Sequence, residues 1–407
     1  MFFKSKFELS TFVAVVVTSI VLKALAVSFL SITPVSDAIA YWNMATSLME
    51  TGVMDDGHGN LAFYSAGYPL FLIPFISLFG KTYEVAQFVN VFLGAVSTIL
   101  LYFCAKTFLK SHFWALISCL AWIFYPPNIL YTEYLAKENL MTPLLLGQTL
   151  LLLNYQGEKI KTFLLGLIFA LGVLVGSAIL FTIIPIIFFL INFNKEKSRI
   201  SLSSISNVLV FFIVFFITLF PWLIYTKSHL GEPVLTTNGG FNLYLGNNKN
   251  STAYYMSIMD TPIADEWYEL KREKGELKAF NHLKQLALTH IFENPVSTIK
   301  LSIEKVIVFW TPPYHEGKGE KSSGESLIRL VWLVIYSTII SLALGSLFFI
   351  RKFNRKHYLI LSTILLYCLI HGAIYVIYRY RLPIIPLVII LSTFTSKEIF
   401  YNVFRKR

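Results

Sequence analysis

Three short segments of this chain carry side chains that can do chemistry. Asp37 lies in Ser36-Asp37-Ala38-Ile39-Ala40-Tyr41-Trp42, Glu133, Lys137 and Glu138 lie in the turn Tyr131–Asn139, and Arg379 and Arg381 lie in Tyr378-Arg379-Tyr380-Arg381-Leu382-Pro383. A carboxylate can take a proton from an acceptor hydroxyl while cations stabilise a departing phosphate, and arginine offers a permanently charged fork that suits phosphate oxygens. Together these are the functions needed to transfer a group from a lipid phosphate. Each residue also has a plainer reading. If Ser36 caps a helix whose first turn begins at Asp37, the acid lies at the positive end of that helix and Tyr41 falls on the same face one turn later. The local sequence leaves Asp37 as either a cap or a catalytic acid, and each arginine taken alone reads as an interfacial, snorkelling residue.

The elements that must position these groups are membrane helices. Of 407 residues, 56% are hydrophobic and only 14% charged, where a soluble globular chain carries about a quarter charged residues. The chain therefore reads as all-α and polytopic, integral to a membrane. Its net charge of +11 sits largely in short clusters between apolar runs, a pattern that orients spans rather than binding nucleic acid. Cys104, Cys119 and Cys368 fall inside apolar segments and read as small buried hydrophobes, with no disulfide framework or metal spacing. The N-terminal run is long, and Ser31-Ile32-Thr33-Pro34 is a poor cleavage site, so this run reads as a span rather than a removed signal.

Apolar runs fall near 10–31, 83–109, 113–130, 140–155, 162–193, 204–225, 326–350, 357–378 and 382–400. A crossing needs roughly 20 residues, so 162–193 is one long helix or two short ones broken near Gly172–Ser177. Charge decides between them. With two helices, the ends and short loops bearing Lys4/Lys6, Lys106/Lys110, Lys159/Lys161, Lys195/Lys197/Arg199, Arg351/Lys352/Arg355/Lys356 and Arg405/Lys406/Arg407 all face one side. The expectation is about ten transmembrane helices with both termini cytoplasmic. Residues 1–225 then form an N-terminal transmembrane catalytic module with a first external loop 32–82. Residues 226–325 form an external loop subdomain, and 326–407 the C-terminal transmembrane helices.

Within the external segments, Tyr64–Phe79 holds Pro69 and Pro74 and is too short for a span, so it reads as an interfacial or re-entrant helix. Trp267, Leu270, Leu277, Phe280, Leu283, Ala287 and Ile291 recur at helical spacing, as do Ile299, Ile303, Val306 and Trp310. Such helices pack on one another or lie along the bilayer surface as juxtamembrane elements. Gly172-Val173-Leu174-Val175-Gly176 reads as the close turn or packing of two short helices. The sequence has no Walker loop, no Gly-x-Ser-x-Gly, no His-Glu-x-x-His and no dinucleotide fingerprint. His58, His229, His290, His315 and His371 show no ligand spacing. No metal or other cofactor is indicated, although a divalent cation beside the acids stays open.

Several stretches resemble one family. Asp37-Ala38-Ile39-Ala40-Tyr41 and Ser65-Ala66-Gly67-Tyr68-Pro69-Leu70-Phe71-Leu72 look like the start of GT-C glycosyltransferases, in the branch of the protein mannosyltransferases and the lipid A aminoarabinose transferases. Tyr131–Leu140, Gly239–Asn248 and Arg379-Tyr380-Arg381-Leu382-Pro383 follow in the same order along nearly the whole chain. The chain departs from the family at Ala38, where the mannosyltransferases have a second acid. It also departs in the Tyr68-Pro69 segment, which lacks the lysine of the aminoarabinose branch, and at Gly176-Ser177, where many relatives have a basic residue.

The resemblance implies a large helical membrane fold, a polyprenyl-phosphate-sugar donor, inversion at the anomeric carbon, and a glycan, lipid or protein acceptor. It carries the catalytic acid onto Asp37 and a second acid onto Glu138, with Glu133 as a neighbour. Arg379, Arg381 and Lys137 are then expected at the donor phosphate, and Tyr41, Tyr68, Asn242 and Asn247 at the substrate. The expected location is the cytoplasmic (inner) membrane, with the site facing the exterior or periplasm and membrane lipid as surroundings. Two other classes remain on the residues alone. A transporter or flippase of a lipid-linked or anionic solute would show mid-membrane charges and repeated halves, for which Lys23 is the main candidate charge and no repeat is evident. A glycan polymerase or ligase would use external arginines and a histidine.

Overall fold

The structure is a computed structural model and describes residues 3–30, 34–191, 193–194, 199–312 and 323–404. Lys195, Lys197, His315, Arg405, Lys406 and Arg407, and most of the Ser31–Pro34 stretch, lie outside the described residues.

A chain this apolar satisfies its backbone polar groups within helices when lipid surrounds it, and the described residues form sixteen α-helices. The N-terminal half contains α1 (Lys6–Phe29), α2 (Asp37–Thr51), α3 (Gly67–Phe79), α4 (Tyr83–Leu109), α5 (His112–Ile123), α6 (Pro126–Glu133) and α7 (Glu138–Leu153). It continues through α8 (Lys159–Val175), a 3₁₀ segment Ser177–Thr182 leading into α9 (Ile183–Leu190), and α10 (Leu202–Leu230). The long segment after α10 supplies α11 (Asn238–Gly246), α12 (Ala264–Glu293) and α13 (Pro295–Trp310). The C-terminal part is α14 (Ser323–Gly345), α15 (Arg355–Ala373), a 3₁₀ turn Tyr378–Ile384 and α16 (Ile385–Phe404). Among the described residues the only strands are the two-residue pair Phe193–Asn194 and Arg199–Ile200.

Local chemistry sets many of the boundaries. Ser5 and Ser201 accept backbone N–H groups at the starts of α1 and α10. Gly52 and Gly231, at φ of 74° and 86°, end α2 and α10 in the left-handed conformation that glycine adopts without strain. Pro126 opens α6 and bends it 51° from α5.

Among the described residues, six helices are long and apolar enough to cross a membrane, or seven if the bent pair α5–α6 is one span. The ten crossings expected from the sequence require the shorter α7, α8 and Ser177–Leu190 as well. The run 162–193 is two helices, with Gly176 extended between α8 and the 3₁₀ segment. α8 and α10 run parallel. Lys159 bonds Ser206 near both starts, Gly166 abuts Phe211 and Val214, and Leu174 shares a cavity wall with Thr218 and Pro221. The segment between them must therefore travel back, and it ends where Arg355 donates to the carbonyls of Phe188 and Phe189. A Cβ on Gly172 would meet Ile179 at 3.1 Å and one on Gly176 would meet Met141 at 2.5 Å, so the two glycines allow this reversal to pack.

The bundle has a basic end. There Lys106 pairs with Glu8 at 2.9 Å, Lys397 donates to the carbonyl of Leu109, and Lys352 pairs with Glu398. The acids of interest gather at the other end, where Gln87 bonds Glu133 and Arg379 pairs with Asp37. Lys23, the charge within the first apolar run, faces the bundle interior and is held by Asn128 and by Thr132 at 3.1 Å.

The segment between α10 and α14 has its own small core of Trp267, Phe280, Leu283, Ala287 and Ile263, joined by Tyr375 from the C-terminal part. Its bonds to the loop between α2 and α3 include Lys271 to the His58 carbonyl and the Thr237 N–H to the Ala62 carbonyl, and others converge on one carboxylate. Gly275, at φ 70°, breaks α12 and leaves Glu276 at the start of its second half. The Glu276 carboxylate accepts the N–H of Leu61 at 2.6 Å and of Ala62 at 3.0 Å, and the hydroxyl of Thr237 at 2.6 Å. α13 behaves differently. Val296, Ile299, Ile303 and Ile307 are exposed along one face, which suits a helix lying along lipid. α3, at 13 residues, is too short to span and packs against α2, α4 and α8.

Candidate active site

Asp37 is the first residue of α2. Ser36 stands at the cap position with φ 51° and ψ −122°, a positive-φ conformation that costs a non-glycine residue strain energy. Its hydroxyl makes no cap bond to the helix; it donates to Asp37 Oδ1 at 3.1 Å. The other oxygen, Oδ2, takes the Nη2 of Arg379, from the 3₁₀ turn before α16. The Nε of the same guanidinium lies 3.7 Å from Glu138 Oε1 and is buried without a hydrogen-bond partner. One edge of the Arg379 fork thus faces two carboxylates that are 101 residues apart in sequence (138 − 37).

These groups open onto a polar cavity of about 280 Å³. Asp37, Tyr41, Lys137, Asn242 and Arg379 line it, and Glu138 lies immediately behind, 2% exposed. Lys137 and Glu138 stand in the turn before the apolar run of α7. Burial pulls the Lys137 amine below its ordinary range, with Glu138 opposing, and pushes the Glu138 carboxyl up, with Lys137 opposing. Counted as ionised, Asp37 and Glu138 balance Arg379 and Lys137.

Besides Glu138, four residues expected at the site lie outside the cavity. Arg381 is 1% exposed and donates through Nη1 to the carbonyls of Phe309 and Thr311 and to the Tyr336 hydroxyl, with its guanidinium 4.1 Å from the Tyr336 ring. It fastens the end of α13 instead of facing Asp37. Asn247 donates to the carbonyls of Leu243 and Ala373, both at 2.8 Å. Tyr68 is fully buried and donates to Asn90. Glu133 is buried against Gln87. Their shared feature is commitment to the protein's own backbone or core, a commitment that short motifs do not reveal.

The cavity also uses residues the sequence did not single out. Tyr64, Tyr255, Tyr375 and Tyr380, with Phe63, Phe241 and Asn238, complete the wall. Tyr41 meets Tyr64 edge-on at 5.5 Å between ring centres, and Tyr375 donates to Asn242 at 3.1 Å. Their only sequence signal is the density of tyrosine around 375–380 and at 254–255. The support beneath Arg379 is equally nonlocal. Lys305 donates to the Gly246 carbonyl at 2.7 Å, a Cβ on Gly246 would strike Ile374 at 2.7 Å, and the Val376 N–H reaches the Ala253 carbonyl at 3.1 Å. The Gly239–Asn248 stretch thereby holds the backbone at 373–376 that leads into Arg379.

A larger cavity of about 690 Å³ lies between α9, α13, α14 and α15, but its wall is apolar and carries no carboxylate or cation. Asp37, Lys137 and Arg379 line the smaller one. Among the described residues no three His, Cys, Asp or Glu side chains come together as a metal site.

The fold and the polar cavity define the class: a multi-pass membrane protein with the GT-C fold. Residues 65–225 match the family model of the dolichyl-phosphate-mannose-protein mannosyltransferases. That match includes Lys137 and Glu138 and stops short of Asp37 and Arg379. No curated protein sequence matches the chain. Among solved structures it is similar to the archaeal oligosaccharyltransferase AglB from Archaeoglobus fulgidus in complex with an inhibitory peptide and a dolichol-phosphate. The TM-score is 0.53 at 11% identity, covering 98% of this chain and 52% of that one. The apo form of the Archaeoglobus fulgidus oligosaccharyltransferase gives 0.55 at 12% identity, covering 99% and 52%. This chain thus spans about half the length of those enzymes.

Proposed function

We propose that the protein is a membrane glycosyltransferase that moves a sugar, hexosyl or pentosyl, from a polyprenyl-phosphate donor to a hydroxyl of a glycan, lipid or protein acceptor on the outer face of the membrane. The observation that carries this reading is the Asp37 carboxylate set against the Arg379 fork in a tyrosine-lined cavity at the acid end of the bundle. Asp37 takes the acceptor proton as the acceptor oxygen bonds to the anomeric carbon. The bond from that carbon to the phosphate oxygen breaks, and its electron pair leaves on the phosphate. Arg379 and Lys137 stabilise the charge that develops there, and Glu138 orients Arg379. The tyrosine rings offer apolar faces with polar rims, which suits a sugar ring. Asn242 lies within reach of its hydroxyls. The 690 Å³ apolar cavity supplies lateral surface for a polyprenyl chain, and the external segment 226–325 covers the acceptor.

The test is incubation of the purified protein in detergent with radiolabelled polyprenyl-phosphate hexoses and pentoses, following label released from or transferred off the lipid. Turnover of one donor is expected. Failure of every donor to turn over, with the protein folded, rejects the reading.

A further inference from the structure

We infer that Arg379 gates Asp37: the guanidinium that holds the donor phosphate is the same one that masks the catalytic carboxylate, so the donor must bind before the acceptor can be deprotonated. This rests on the glycosyl-transfer reading above and adds a binding order to it.

Both oxygens of Asp37 are engaged, Oδ1 by the Ser36 hydroxyl and Oδ2 by Arg379. An acceptor hydroxyl needs one of those oxygens as its proton acceptor, and the Arg379 bond, charged on both sides, is the stronger competitor. The guanidinium edge is meanwhile incompletely used. Its Nε has no hydrogen-bond partner, because Glu138 Oε1 at 3.7 Å is beyond bonding distance, although Arg379 is largely buried. A phosphate presents two oxygens at the spacing of that edge and can satisfy Nε and Nη2 together, which Asp37 and Glu138 do not.

Charge supports the exchange. Asp37 and Glu138 balance Arg379 and Lys137, so a phosphate adds negative charge and competes with Asp37 for the same donors. Pairing of Arg379 with Asp37 and pairing with phosphate are then alternatives on one fork. The apparent phosphate affinity is lowered by the fraction of time that Asp37 holds it. Phosphate arrival draws the fork away, frees Oδ2, and leaves the carboxylate beside the anomeric centre only when a donor is present.

A fixed scaffold makes the opposite forecast. If Asp37 served only to position Arg379 for the phosphate, removing its charge would loosen the fork and weaken donor binding. Gating forecasts that a catalytically dead protein binds better. The experiment measures the dissociation constant of sugar-free undecaprenyl phosphate for the full chain in detergent. The proteins are wild type, Asp37→Asn, Asp37→Ser, Arg379→Gln and the double Asp37→Asn/Arg379→Gln, each confirmed as folded by size-exclusion and thermal melting. Both Asp37 variants should bind about ten-fold more tightly than wild type, a typical size for coupling between two sites. The gain should vanish in the double variant, which should match Arg379→Gln alone. Wild-type or weaker binding by both Asp37 variants overturns the gate; if they have also lost transfer, the glycosyl-transfer reading stands without it. If wild type itself does not bind the lipid phosphate, gate and glycosyl transfer fall together.

Discussion

At the scale of single residues, the two arginines of Tyr378-Arg379-Tyr380-Arg381 have parted company. They are two positions apart, yet Arg379 faces Asp37 while Arg381 is buried against backbone carbonyls of α13. Their substitutions should fail differently. Arg381→Lys keeps a charge but loses the fork. Its thermal stability should fall, by roughly 1–3 kcal/mol for each charged hydrogen bond lost, while undecaprenyl-phosphate affinity of the folded fraction stays near wild type. A selective loss of lipid-phosphate affinity without loss of stability would return Arg381 to the site. For the acids, Asp37→Asn is nearly isosteric and should accumulate normally while losing transfer by about 10²–10⁴-fold, as expected of a general base. Glu138→Gln should cost less, since a neutral oxygen can still orient Arg379. Steady-state transfer rates of the two variants settle the assignment. A dead Glu138→Gln beside an active Asp37→Asn would reverse it.

Among the elements, the join between the α2–α3 loop and the segment that follows α10 is the most concentrated. Three donors, the amides of Leu61 and Ala62 and the hydroxyl of Thr237, converge on the one carboxylate of Glu276. The glycine break in α12 places that carboxylate at a helix start, where negative charge is favoured. Glu276→Ala should leave the bundle intact and loosen this join. Hydrogen exchange at Leu61 and Ala62 should accelerate by an order of magnitude or more, matching the roughly 1–3 kcal/mol released when such bonds are removed. Unchanged protection at both amides would show that packing of Phe63 on Phe241 and Phe280 suffices to hold the loop.

For the whole molecule, orientation decides whether a site exists at all. The parallel course of α8 and α10 requires Ser177–Leu190 to return across the bundle, and this puts Asp37 and the segment 226–312 at the same end. Reporter fusions after Lys161, Arg199 and Arg355 should therefore all report cytoplasm, and one near Gly275 should report the exterior. An exterior signal after Arg199 would place Asp37 and the long segment on opposite sides of the membrane and dismantle the proposed site.

Much of this was legible one residue at a time. Membrane class, the helical runs, the break at Gly176 and the basic clusters follow from local hydropathy, glycine and charge, because lipid solvation acts on each segment wherever it ends up. Asp37 could be found because it interrupts an apolar pattern at the start of a helix. The partners of the polar side chains could not be read in this way. Whether Arg379, Arg381, Asn247 or Tyr68 faces a cavity or a carbonyl depends on which element packs beside it. That is set by contacts distant in sequence, from Tyr68 with Asn90 across 22 positions to Asp37 with Arg379 across 342. The tyrosine wall was missed for the same reason. Its members come from four separate segments, and only folding brings the rings around one cavity.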